Sequence, residues 1–149
     1  MALDNMQSKN YKRAISFLES SKEWPENLGV GKPFHADERL QDYLLAVNFE
    51  LLKDSNKSEQ LLTGILSYHN KNNQKVVSPN ELFELLSLKK LGKSAELESS
   101  INRISNINTI MGKFILALYH NDAAALKEIR TQNVLNHPSL KILEAASKY

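Results

Sequence analysis

Apolar residues recur through most of the chain at the spacing of an amphipathic helix. Near the N-terminus, for example, Tyr11, Ala14, Ile15 and Leu18 stand at i, i+3, i+4 and i+7, so that they share one face of a helix. Similar stripes return up to the C-terminus between polar turns, and no stretch reads as a credible strand. The pattern predicts an all-α fold of seven full helices, preceded by an N-terminal stub of one or two turns.

Two of the predicted helices carry signals beyond their periodicity. The helix that begins near Glu38 is apolar on more than one side, which predicts that it lies between neighbouring helices. Another helix is predicted to start at residues 78–81, where the sequence S-P-N-E forms a capping box with proline at the first helical position. Polar stretches at residues 53–57 and 69–75 predict turns or loops on either side of the helix between these two.

The longest interruption of the helical pattern is the loop at residues 24–37. It holds the only tryptophan, two of the five glycines and two of the four prolines. It is longer than the roughly two to eight residues that usually connect helices, and long loops are commonly functional or packed on the protein. In the structural interpretation, Trp24 and Phe34 fold back on the helices and Asp37 caps the next one.

In the functional interpretation, the same loop is a ligand site in which an exposed indole and three polar side chains contact the ligand. The candidate residues of this loop site are Trp24, Lys32, His35 and Arg39. A single large aromatic residue beside a turn is more often an anchor than a binding platform. The sequence therefore favours the structural interpretation.

Composition argues against several classes of chemistry. The 149 residues suffice for one domain with its own core, and the formal charge of +2 has no basic stripe, which argues against nucleic acid as a partner. The chain has no cysteine and none of its four histidines stands in a metal-binding pair, so no metal or other cofactor is predicted. Glu38 and Asp42 share a helix face, but carboxylates at a helix start are favoured by the dipole and usually solvated. We predict that the chain is not an enzyme.

The sequence gives no sign of membrane insertion. No segment is apolar over the length of a membrane span, and the first residues lack the pattern of a signal peptide. A chain without cysteine is compatible with both the cytoplasm and the periplasm, and the sequence leaves the oligomeric state open.

Several helix pairs share a marker, a small or apolar residue on the second helix. The markers are Ala14, Ser58, Leu97 and Ala125, spaced by 44, 39 and 28 residues. The arrangement resembles degenerate tetratricopeptide repeats, whose period is about 34 residues and whose small residues let paired helices approach closely. The resemblance implies that antiparallel helix pairs stack as a curved α-α superhelix.

A second resemblance lies in the motif W-P-E-N-L-G-V-G-K-P followed by D-E-R-L-Q-D-Y-L. The motif resembles a segment of large uncharacterised bacterial proteins, in which a β-sandwich domain of unknown function, related to sugar-processing folds, precedes tetratricopeptide-like repeats. This implies that the chain is the C-terminal repeat region of a longer protein and that any glycan chemistry lies in the other part. The N-terminal stub, too short to be a full helix, fits that hypothesis. The resemblance assigns no catalytic residue to this segment.

The predicted function is that of a non-catalytic scaffold. Stacked helix pairs offer a groove to a protein, to a peptide or to another domain of the parent chain, lined by the first helix of each pair. By repeat register, the predicted groove residues are Tyr43, Val47, Glu50, Leu82, Leu86 and Lys89. The alternative is an accessory region of a carbohydrate-active bacterial protein, in which Trp24 contacts a sugar.

Overall fold

The computed structural model describes residues 1–23, 33, 36–72, 76–131 and 138–149, and all regular structure within these ranges is helical. The helices are α1 (Ala2–Gln7), α2 (Tyr11–Ser20), α3 (Arg39–Leu51), α4 (Ser55–Asn72), α5 (Glu81–Lys90), α6 (Ser94–Ile107), α7 (Ile110–Tyr119), α8 (Ala123–Thr131) and α9 (Pro138–Ala146). The all-α prediction is confirmed. In the described ranges eight helices, not seven, follow the stub α1.

The helix α4 is longer than its apolar stripe predicts. It begins at Ser55, where Asp54 accepts the backbone N–H of Lys57 at 3.2 Å, and it continues to Asn72. The polar stretches that predict turns on either side therefore belong in part to the helix. Polar residues on the solvent side of a helix do not end it when its apolar face is held by packing.

Among the described residues, five connections between consecutive helices contain a residue in the left-handed region of backbone conformation. The φ angles are 57° at Lys9, 63° at Lys53, 68° at Gly92, 50° at Asn108 and 54° at Asn121. Each residue stands one or two positions after a helix, where a left-handed residue commonly ends helices. The connections are short, so that each following helix packs back against the previous one.

The helices α3 and α4 form an antiparallel hairpin. The Lys57 ammonium near the start of α4 lies 5.0 Å from the centre of the Phe49 ring near the end of α3. At the opposite end, the Arg39 guanidinium, which begins α3, lies 5.1 Å from the centre of the Tyr68 ring in α4. The helices α5 and α6 pair in the same way, since the start of α5 contacts the last turns of α6.

The first helices of three consecutive hairpins, α3, α5 and α7, lie side by side in the same direction. Arg39 and Glu81 pair at the starts of α3 and α5 at 3.2 Å, and Glu50 and Lys90 pair at their ends at 2.7 Å. The C-terminal ends of α5 and α7 also lie together, with a lysine ammonium of one 5.7 Å from the tyrosine ring that ends the other. The hairpins are therefore stacked in parallel, which is compatible with a helical repeat.

The core is centred on α3 and α5. The tilted rings of Tyr43 and Phe83, 5.5 Å apart, join the two helices, and both side chains are at most 1% exposed. Because α3 contacts α2, α4 and α5, the six consecutive residues 43–48 are all buried. This burial on several sides agrees with the prediction that α3 lies between neighbouring helices.

The last helix, α9, packs on the hairpins through a stripe of three residues. Leu140, Leu143 and Ala146 are each at most 6% exposed. Glu144, beside this stripe, pairs with Arg130 of α8 at 2.7 Å. The apolar spacing of the C-terminal segment is therefore used to attach α9 to the rest of the fold.

Phe83→Ala is expected to lower the free energy of unfolding by about 3–5 kcal/mol, because it removes a fully buried ring and leaves a cavity between α3 and α5. Leu86→Ala on the same helix is the control, since the Leu86 side chain is only half-buried and its loss should cost less. Urea denaturation followed by circular dichroism measures both. Equal costs would contradict a core centred on the contact between α3 and α5.

Candidate partner-binding groove

The structure divides the six predicted groove residues into two groups. Tyr43, Val47 and Leu82 belong to the core, with at most 4% exposure, because the helices packed around α3 and α5 cover these faces. They cannot contact a partner while the core is intact, which corrects this half of the predicted groove. Leu86 is half-buried, and the two charged members of the set, at the C-terminal ends of α3 and α5, are exposed.

The structure describes one of the four residues of the predicted loop site. Trp24, Lys32 and His35 lie outside the described residues, so the sugar contact through Trp24 stays a prediction. Arg39 is 1% exposed and bound within the protein. A role for Arg39 as an accessible ligand contact is therefore wrong, because its guanidinium is used between helices.

Arg39 is the centre of a buried ion-pair cluster. Its guanidinium donates hydrogen bonds to both carboxylate oxygens of Asp37, at 2.9 and 2.8 Å, and another to Ser78 at 3.0 Å. Its Nη1 donates to Oε1 of Glu81 at 3.2 Å. A planar guanidinium suits this place because it donates to several acceptors at once.

Glu81 is bound from two sides. Its Oε2 accepts from Nη2 of Arg103 at 2.5 Å, and the same nitrogen donates to Glu84 at 3.0 Å. Ser100 donates its hydroxyl to the other oxygen of Glu84 at 2.6 Å. The cluster therefore ties the start of α3 and the first turn of α5 to α6.

The residues of the predicted capping box have other partners. The helix does start there, at Glu81, and the Glu81 backbone N–H donates to the carbonyl of Ser78 at 3.1 Å. The Ser78 hydroxyl, however, accepts from Arg39, and the Glu81 carboxylate contacts two guanidiniums. A carboxylate that is 0% exposed needs cations, because burying it without them costs far more than an unmade cap.

Asp37 and Arg39 stabilise each other's charged forms. Burial alone would raise the pKa of Asp37, but the hydrogen bonds and attraction from Arg39 outweigh it, so that this pKa lies below its ordinary value. Burial likewise opposes the charge of Arg39, and its contacts with Asp37 and then Glu81 outweigh burial and raise the Arg39 pKa. The buried charges of this cluster serve to hold helices together.

A groove of about 620 Å³ lies between α2, α3 and α4. Its apolar lining consists of Leu45 and Phe49 of α3 and Leu61 of α4, of which Leu45 is only 4% exposed. The polar residues around it are Glu19, Lys22, Asp42, Lys57 and Gln60. The volume falls within the range of about 300–1,000 Å³ typical of ligand sites.

An ion-pair triad fixes one side of this groove. The Nζ atom of Lys22, just beyond α2, lies 2.5 Å from Asp42 and 3.5 Å from Glu38. Burial opposes the charge of Lys22, but the hydrogen bond and attraction from Asp42, and then those from Glu38, outweigh it and raise the Lys22 pKa. The two carboxylates predicted as a solvated helix start are therefore partly buried and hold the end of α2 against α3.

Gly64 opens onto the groove from the middle of α4. A Cβ atom at Gly64 would meet no other heavy atom within 4 Å, whereas one at Gly112 would lie 3.2 Å from Ile104 and Thr109. Close packing explains why position 112 holds a glycine. It does not explain the glycine at position 64. The signal is visible in the sequence as an isolated glycine inside the apolar stripe of a helix, yet Gly64 is absent from the predicted site.

Comparisons with known protein families, with characterised proteins and with experimentally determined structures give no match for this chain. The assignment to tetratricopeptide-like repeats therefore stays a prediction. Within the described ranges, no three His, Asp or Glu residues are grouped as a metal site would require. No helix there combines the length and apolarity needed to cross a bilayer.

Glu81→Ala is expected to lower the free energy of unfolding by about 3–5 kcal/mol, because it removes a buried carboxylate shared by Arg39 and Arg103. Glu50→Ala is the matched control. It breaks the pair with Lys90, in which the Glu50 side chain is 53% exposed, and should cost about 1 kcal/mol or less. Urea denaturation at neutral pH compares the two, and equally small losses would refute a structural role for the cluster.

Acidification is expected to destabilise the protein through Asp37. The pKa of Asp37 in the folded protein lies below the ordinary 3.8. The stability that the ionised carboxylate contributes is therefore present at neutral pH and is lost as the pH falls through the pKa of the folded state. Asp37→Asn should be less stable than the unmodified chain near neutral pH and should depend less on pH below about pH 5. Urea denaturation at several pH values tests this, and parallel pH profiles of the two chains would contradict it.

Proposed function

We propose that this chain is a non-catalytic helical-repeat scaffold, a degenerate tetratricopeptide-like superhelix, which binds an extended or helical peptide segment in the groove between α2 and α4. The segment belongs to a partner protein or to another domain of the parent chain. The parallel stacking of α3, α5 and α7 supports the repeat architecture. The observation that carries the binding site is the open surface at Gly64.

Glycine at position 64 lowers the stability of the helix α4. Inside a helix, glycine makes the free energy of the helical state less favourable than alanine does, by about 0.8–1.0 kcal/mol. Gly64 lies in the interior of α4, so this cost applies to it. Packing within the described protein gains nothing from it, because a methyl group there would touch no atom within 4 Å. A partner gains from it, since the bare helix lets another backbone approach closely.

The chemistry of the groove suits a peptide. Phe49 and Leu61, both half-buried, offer apolar surface to one or two side chains, and the surrounding carboxylates, amide and ammonium groups can bond the polar backbone between them. The Lys57 ammonium lies over Phe49, 5.0 Å from the ring centre, so a charged group stands directly beside the apolar residues of the groove. Peptide sites commonly combine apolar pockets with polar contacts along the backbone in this way.

Non-catalytic use is supported by the place of the charged residues. The most buried charged groups, Arg39, Glu81 and Glu84, join α3, α5 and α6. Along the groove, Lys22 is held by Asp42 and Glu38 between α2 and α3. In both places the charged groups fix the positions of helices, which is the role expected in a rigid binding scaffold.

The proposal is tested by a displayed peptide library selected on the intact chain, with affinities of the enriched peptides measured by fluorescence anisotropy. Gly64→Trp fills the groove and should weaken binding at least about tenfold. Thr63→Trp is the matched control, because this exposed neighbour does not line the groove, and it should bind as the unmodified chain does. Gly64→Ala should raise the free energy of unfolding by about 0.5–1 kcal/mol. This result would show that glycine at position 64 is not required for folding.

Equal affinity of the enriched peptides for the unmodified chain and for Gly64→Trp would refute the groove as the binding site. Weakening by both tryptophan variants would also count against it, since the effect would then not depend on the groove. A loss of stability in Gly64→Ala would contradict the open space on which the argument rests.

A further inference from the structure

The helix α9 lies against the starts of α3 and α5. We call this surface, formed by Asp37, Leu40 and residues 78–80, the seat of α9, and α9 fills it only in part. Ile142 and Leu143 line a cleft of about 310 Å³ together with Leu40 of α3, Asp37 and the turn at residues 78–80 before α5. Close-packed contacts leave few spaces larger than a water molecule. Ile142 also remains 44% exposed. The packing of α9 against the starts of α3 and α5 is therefore incomplete.

Outside this cleft, α9 is held by the buried side chains of Leu140 and Ala146 and by two further contacts. Glu144 pairs with Arg130 of α8, whose side chain is 58% exposed, and ion pairs so exposed contribute little. Tyr149, which follows α9, packs against the core. Burial, and after it the charges of Tyr11 and Asp4, raise the Tyr149 pKa, which places the end of the chain near α1 and α2.

Leu140, Leu143 and Ala146 are buried in the core, but the contacts that join α3, α5 and α6 to one another are made without α9. The rings of Tyr43 and Phe83 join α3 to α5, and the bonds from Arg39 and Arg103 to Glu81 join α3, α5 and α6. None of these contacts involves a residue of α9. A nine-residue helix, in contrast, is not stable by itself in water, so α9 depends on its seat more than the core depends on α9.

We propose that α9 is an exchangeable occupant, and that its seat on α3 and α5 binds an amphipathic helix from a partner protein in its place. This inference goes beyond the proposed function, since it concerns another surface and does not depend on the groove at Gly64. The partner helix carries apolar residues at the positions of Leu140, Leu143 and Ala146, as α9 does. It carries a carboxylate at the position of Glu144, which pairs with Arg130.

The unfilled cleft identifies the partner more closely. A helix with an aromatic side chain at the position of Ile142 places more apolar surface in the 310 Å³ beside Leu40 than α9 does. Such a helix gains contacts that α9 lacks, and this gain is what lets it compete with a segment of the same chain. A second copy of the chain would offer the same α9 with the same incomplete fit, so a different protein is the better occupant.

The probe is a fluorescein-labelled peptide of residues 138–149 carrying Ile142→Phe, titrated with the full chain and followed by anisotropy. Leu143→Asp in the full chain weakens its own α9, and we expect it to bind the probe at least about tenfold more tightly than the unmodified chain does, because the competing tethered helix is removed. Lys141→Asp is the matched control on the exposed side of α9 and should behave as the unmodified chain. The probe should also bind more tightly than the same peptide with Ile142 retained.

Three results would overturn the proposal. The first is a folded Leu143→Asp chain that does not bind the probe, and the second is equal binding of the peptides with Ile142 and with phenylalanine. The third is a Leu143→Asp chain without helical structure, because α9 would then be part of the cooperative core. Dimers of the unmodified chain that the probe dissociates would make a second copy the occupant and would refute a different partner.

Hydrogen exchange on the unmodified chain gives a test that needs no variant. An exchangeable α9 opens while the core stays folded, so its backbone amides should exchange at least about a hundredfold faster than those of α5. Equal protection of α9 and α5 would show that α9 opens only when the whole protein unfolds, and would overturn the proposal. Neither this result nor the peptide titration bears on the groove at Gly64.

Discussion

The buried carboxylate of Glu81 sets the arrangement on which the other contacts depend. It is 0% exposed, and a charge in such a place is tolerated only with cationic partners. Arg39 and Arg103 supply them from α3 and α6, so the starts of α3 and α5 must lie together beside the last turns of α6. With the starts aligned, the rings of Tyr43 and Phe83 meet along the two helices. The parallel row of first helices follows from this register.

Two of the surfaces that depart from close packing lie on opposite faces of α3. Asp42, Leu45 and Phe49 line the groove that opens at Gly64, whereas Leu40 lines the cleft beside α9. At about 100° of rotation per residue, the first three side chains stand roughly 140–200° around the helix from Leu40. A segment bound in the groove therefore leaves the seat of α9 untouched. One central helix thus offers two separate surfaces. The Lys22 triad holds α2 against α3 at the groove, whereas the cluster around Glu81 holds the starts of α3 and α5 together at the cleft.

The candidate sites were harder to predict from the sequence than the fold. Tyr43, Val47 and Leu82 follow the apolar spacing that a groove requires, but the same spacing also suits a core, and the structure places all three in the core. Arg39, predicted as a ligand contact, is buried because its carboxylate partners come from residues 37 and 81. Gly64 could have been found as a helix-interior glycine. That it faces open space depends on how α2 and α4 are placed against α3.

The sequence by itself determined that the described fold is helical and where most of its helices lie, because helical periodicity is a local property of a few neighbouring residues. It did not give the full length of α4, whose ends are polar. It placed a helix start close to Glu81 and predicted correctly that α3 lies between neighbours. Only the tertiary structure decided which helices meet and which polar groups are buried. The partners of Glu81 stand 42 and 22 residues away, and the pattern of one helix shows which face is apolar without showing what will cover it. Burial then changed the partners of the predicted cap, since a carboxylate removed from water binds cations in preference to leaving its charge uncompensated.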